Sequence, residues 1–113
     1  MDNVSVSRID LLIKHINLIQ RDLKDKTFED FKKSDILVRA TCFSLVQIGE
    51  QMNKLEELFR TNYPEIPWSS ARKMRNIIVH VYNRIDAEQV WSTANQDLEE
   101  LKVKFEIIKS ELL

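Results

Sequence analysis

One glycine and two prolines are all the strong backbone punctuation that 113 residues carry, and both prolines fall in a single stretch, Pro64 to Pro67. Sheet proteins turn every few residues, and tight turns draw heavily on these residues. This chain is limited to long helices with few connections. A chain of this length forms one domain, 1–113, and buries roughly two-thirds of its unfolded surface, enough for a core without staples.

Apolar residues at three-to-four spacing define four helices. The first spans about Ser5 to Lys24, with Ile9, Leu12, Ile13, Ile16, Ile19 and Leu23 on one face. Lys24 to Thr27 is a polar break, and Thr27 or Ser34 caps the next helix. The second spans about Ser34 to Arg60, with Ile36, Ala40, Phe43, Ile48, Leu55, Leu58 and Phe59 as its apolar side. Gly49 sits in its middle, where it costs about 1 kcal/mol relative to alanine; a close helix crossing accounts for it. The linker Thr61 to Pro67 stops that helix through its prolines. The third starts at Ser69 or Ser70 and ends near Asn83. The fourth opens at Asp86, with Gln89 completing a capping box and Ile85 and Val90 forming a hydrophobic staple. Val90, Trp91, Leu98, Leu101, Phe105, Ile108 and Leu112 carry its stripe to the end. The expected fold is all-α, an antiparallel four-helix bundle.

Several function classes lose support. A formal net charge of −1 argues against a coat for nucleic acid, though a local patch suffices for an enzyme that releases its product. Cys42 is alone, in an apolar run, and reads as a buried inert thiol. No stretch has the pattern of a signal peptide or the roughly 20 apolar residues of a membrane span, so a cytoplasmic protein with no membrane partner is expected. No Cys/His cluster has zinc spacing, no Glu-x-x-His pair suggests a di-iron site, and one glycine excludes a phosphate-cradling loop. Neither metal nor cofactor is expected.

The chemistry concentrates in Arg75-Asn76-Ile77-Ile78-Val79-His80-Val81-Tyr82. A fixed cation, a group titrating near neutrality and a phenol share about two helical turns. An α-helix turns about 100° per residue. With Arg75 at the origin, Ile77, Val81, Met74, Ile85 and Ile78 fall between roughly 200° and 300°, the core face. Tyr82 falls near roughly −20°, Val79 40°, Arg72 60°, Asn76 100°, His80 140°, Lys73 160° and Arg84 180°. No acidic residue lies between Glu65 and Asp86, whereas a solvated helix usually mixes signs. Arg75 and His80 are too far apart around one helix to reach one phosphate easily. Two such helices meeting on a two-fold axis would place both pairs around one cleft.

Plainer readings stand beside this one. An arginine-rich face is usually solvated, and a lone histidine on it is usually just exposed. His15 is structural or exposed, Trp68 and Trp91 are packing groups, and Tyr63 packs the loop.

Together Ile48-Gly49-Glu50, Asn62-Tyr63-Pro64-Glu65-Ile66-Pro67-Trp68, Met74-Arg75-Asn76, Val79-His80-Val81-Tyr82, Val90-Trp91 and Asp97-Leu98 resemble the HepT-like family of the HEPN superfamily. The likeness runs from about Ile36 to Leu113, and the first helix fits it as well. One position departs: Val81 stands where many relatives have a small residue. The resemblance implies a HEPN-like bundle of four to five helices and a metal-independent endoribonuclease toxin of a type VII toxin–antitoxin pair. It implies a homodimer, or a higher assembly of dimers, joined through the motif helices. Arg75 and His80 would cut RNA, Asn76 and Arg72 would support them, and a minimal nucleotidyltransferase antitoxin would inactivate the toxin by adding AMP to Tyr82. His80 would act as general acid or base, and Arg75 would stabilise phosphate charge. The expected product is a 2′,3′-cyclic phosphate. Two rival readings remain: a non-catalytic nucleotide- or nucleotidyltransferase-binding subunit using the same cleft, and a purely structural helical dimer.

Overall fold

Six helices make up the described part of the chain. The computed structural model describes residues 3–81, 86–96 and 98–113, with side chains from residue 3 to Ile77 in the first of these segments. The helices are α1 (Asn3–Leu23), α2 (Phe28–Lys33), α3 (Asp35–Phe59), α4 (Ser70–Val81), α5 (Ala87–Asn95) and α6 (Leu98–Leu112). No described helix is long and apolar enough to cross a membrane.

The ends obey local chemistry. Asp25 after α1 adopts a left-handed φ of 61°, which aspartate tolerates better than most residues. Thr27 and Ser34 both act as caps. Thr27 forms a reciprocal capping box with Asp30, so the polar break launches the extra short helix α2. Ser34 closes α2 by donating its backbone N–H to Phe31 and opens α3 by accepting from Leu37 N on its side chain. Asp86 caps α5, its carboxylate accepting from Gln89 N at 3.1 Å. Ile85, the other half of the expected staple, lies outside the described residues. The last helix is not continuous: Gln96 is extended, and it separates α5 from α6.

Packing of the long helices is antiparallel. Across α1 and α6, Lys109 pairs with Asp10 at 2.6 Å, while Lys102 donates to Asn17 and Gln20. The core is built from Ile9, Leu12, Ile16 and Ile19 of α1, Leu45, Ile48, Met52 and Leu55 of α3, and Phe105 and Ile108 of α6. Burying each such side chain is worth roughly 1.5–3 kcal/mol.

The expected face of α3 needs correcting. Ile48, Leu55 and Phe59 are buried, but Ile36, Ala40, Phe43 and Leu58 are exposed. On a helical wheel these four share a side with Gln47 and Lys54, opposite Leu45, Ile48 and Met52. Two apolar stripes run along α3, and α1 and α4 cover the other one. Trp68, Trp91 and Cys42 do pack as expected. Trp68 and Cys42 are buried, and Trp91 is half-buried against Phe28 and Phe31. Burial pushes the Cys42 thiol above its ordinary range.

His15 takes the structural role. It is buried, with Nδ1 3.0 Å from Ser44 Oγ and its ring edge-on to Phe43. Burial, and then the charge of Lys14, lowers its pKa from the ordinary 6.5. Below about pH 6.5 the unfolded chain therefore takes up a proton that the folded chain resists, and stability falls as the pH drops. Thermal melts between pH 7.5 and 5 should show that decline flattened in His15→Gln. Parallel profiles for the two proteins would remove His15 as its source.

Candidate functional site

The site is built where α4 crosses α3. The approach to α4 is tightly fixed. Tyr63 N–H donates to Phe59 at 2.8 Å, and the Trp68 indole N–H donates to the Tyr63 carbonyl at 3.0 Å. Ile66 and Trp68 are buried, and Trp68 meets Phe105 edge-on. The proline linker is therefore a wedge set into the core, and it aims α4 along α3.

Gly49 is the crossing point. A methyl group added there would lie 2.8 Å from the Ala71 carbonyl oxygen, 2.8 Å from Arg75 Cγ and 3.1 Å from Arg75 N. Only a residue without a side chain allows this approach. The close crossing brings the Arg75 stem down over α3, and Arg75 Nε donates to Glu50 Oε1 at 2.7 Å. The two side chains remain 39% and 38% exposed. A pair so solvated contributes about 0.2–1 kcal/mol at most, so its effect is orientation. With Nε engaged, the two terminal nitrogens of the guanidinium make no bond to another described residue and stay available for an anion.

The helical face behaves as its wheel requires. Ala71, Met74 and Ile77 are buried, and Arg72, Lys73 and Asn76 are exposed. Arg72 and Arg75 both line a cavity of about 590 Å³ between α3, the linker and α4. Asn76 is not part of its wall. His80 lies on the last turn of α4, but its side chain is outside the described part, as are those of Ile78, Val79 and Val81. Tyr82 and Arg84 lie wholly outside it, and so does Asp97.

Sequence reasoning missed Glu50 as the partner of Arg75. The available signal was Gly49: a glycine that marks a crossing also marks its neighbour as a residue facing the crossing helix.

Comparisons with known proteins agree with this architecture. The family model described as "Ribonuclease HepT-like" matches residues 12–108. A protein of Thermococcus cleftensis named "Probable ribonuclease HepT" is 33% identical over 94 residues, covering 83% of this chain and 86% of that one. A "Putative RNase" of Caldanaerobacter subterraneus subsp. tengcongensis is 35% identical over 95 residues, covering 83% and 84%. Another "Putative RNase", from Methanocaldococcus jannaschii, is 31% identical over 101 residues, covering 89% and 87%. No solved structure matched the chain. An all-α bundle whose motif helix is locked on α3 through Gly49, matched over residues 12–108, places this chain in the HepT-like ribonuclease family.

Proposed function

We propose that this chain, acting as one domain over 1–113, is a metal-independent endoribonuclease and the toxin of a toxin–antitoxin pair. The observation that carries the reading is Arg75. Its guanidinium is braced by Glu50, and its terminal nitrogens sit on a helix with no acidic residue between Glu65 and Asp86. Family membership and the ribonuclease names of the relatives support the substrate class.

In the reaction, the ribose 2′-hydroxyl gives its proton to a base and attacks the adjacent phosphorus. The bond to the 5′-oxygen breaks, and that oxygen takes up a proton as it leaves. His80 serves as the general base or acid. Arg75 holds the phosphate oxygens with a planar, permanently charged fork, and Arg72 and Asn76 support the substrate. The product is a 2′,3′-cyclic phosphate. The cut takes place in a cytoplasmic homodimer, or an assembly of dimers, in a cleft between two motif helices. A nucleotidyltransferase antitoxin then silences the enzyme by adding AMP to Tyr82. Each AMP brings an anion onto the cationic face and offsets its field.

Purified protein should cut single-stranded RNA in excess chelator and leave cyclic phosphate ends. Arg75→Ala and His80→Ala should each lower the rate by about 100-fold or more. RNA cut by His80→Ala as fast as by wild type would sink the assignment.

A further inference from the structure

We propose that the cavity beside Arg75 is a subsite for a nucleotide of single-stranded RNA flanking the cut, its phosphate held by Arg60 and Arg72. The identity of the strand rests on the ribonuclease reading; the cationic cavity stands on its own geometry.

Three arginines from two elements line this space: Arg60 at the end of α3, and Arg72 and Arg75 on α4. Glu56 is the one acidic group in its wall, so the lining is cationic overall. Arg60 lies 3.5 Å from Glu56 and is 73% exposed, a loose pair that a phosphate can displace. Arg72 has no carboxylate partner among the described residues. Arg72 and Arg75 are three residues apart on one face, about 4.5 Å along the axis. A strand running along α4 therefore passes from the cavity directly onto Arg75.

The rest of the lining suits a nucleotide. Pro67 offers a rigid apolar surface for a base or ribose. Asn53 carries both a donor and an acceptor, which can meet a base edge. Arginine forks match phosphate oxygens bidentately and stack on bases. A volume of about 590 Å³ lies within the usual range for small-ligand sites.

The test uses the full chain and a uridine hexamer with 2′-O-methyl riboses, which blocks cleavage. Fluorescence anisotropy is read across a salt series. Arg60→Ala should weaken binding about tenfold and flatten the slope of log K against log salt by about 0.7, one phosphate contact on a single strand. Arg60→Lys should restore most of that slope. Arg39→Ala, an exposed arginine on the far end of α3 paired with Asp35, should bind like wild type. With cleavable RNA, Arg60→Ala should also lose the preference of wild type for a hexamer over a dinucleotide.

If wild type cuts RNA and Arg60→Ala matches it in affinity, slope and length preference, the subsite is overturned and the ribonuclease reading stands. If wild type binds the hexamer through Arg60 but cuts nothing, the ribonuclease reading falls, and the cavity stands as a binding site for single-stranded RNA that flanks no cut. If Arg60→Ala binds RNA normally but no longer binds the nucleotidyltransferase, the cavity is a protein-docking surface and the proposal is wrong. Arg60 is exposed, so melting curves that overlay wild type exclude misfolding as the cause of any loss.

Discussion

Gly49→Ala should lower RNA cleavage by about 100-fold while destabilising the fold by no more than about 2 kcal/mol. The added methyl group meets the Ala71 carbonyl and the Arg75 stem at 2.8 Å, and ordinary contact begins at 3.4 Å. A flexible side chain could swing aside, but a helix carbonyl cannot, so α4 must retreat. Overpacking of this kind costs about 1–3 kcal/mol, and alanine returns about 1 kcal/mol of helix propensity. The small net cost is misleading, because the retreat carries Arg75 away from Glu50. Misplacement by about 1 Å can cost about 100-fold in rate. The useful comparison is Glu50→Gln, which keeps an acceptor in place and moves no backbone. It should retain far more activity than Gly49→Ala. Equal rates for Gly49→Ala and wild type would mean that this crossing does not set the site.

Phe105→Ala should bring the largest loss of stability, about 3–5 kcal/mol. Phe105 is fully buried, and it meets Trp68 edge-on at 5.9 Å. Its removal opens a cavity between α6 and the linker that launches α4. For a chain of this size the melting temperature should fall by on the order of 10–20 °C. Val103→Ala, on the half-exposed side of α6, should cost less than about 0.5 kcal/mol. Similar melting temperatures for the two variants would contradict the packing described for α6.

The buried face of α1 was legible because Ile9, Leu12, Ile16, Ile19 and Leu23 follow one another at unbroken three-to-four spacing, while Val4, Leu11 and Leu18, outside that stripe, stand seven apart. The close crossing at Gly49 was legible because a mid-helix glycine in a chain with no other demanded a reason. The face of α3 was not. Ile36, Ala40 and Phe43 recur at helical spacing as regularly as Leu45, Ile48 and Met52, and nothing local says which stripe α1 and α4 will cover. The break at Gln96 was hidden for a related reason. Neither proline nor glycine marks it, and the stripe from Val90 to Leu101 keeps its phase across it. Arg75 and Arg72 could be placed on one face from periodicity alone. Glu50 and Arg60 reach the same site from another helix, and pairings across elements have no local signature.

The notch at Gly49 also indexes α4 along α3. Charge alone would accept a slip of three residues, because Arg72 would then stand opposite Glu50 where Arg75 stands now. The same slip would drive Trp68 onto Gly49 in place of Ala71, where even a methyl group does not fit. An ion pair with two equivalent suitors cannot specify an alignment, whereas the meeting of the smallest residue with the next smallest can. The register of the motif helix, and with it the choice of arginine, is thus held by what is missing from Gly49.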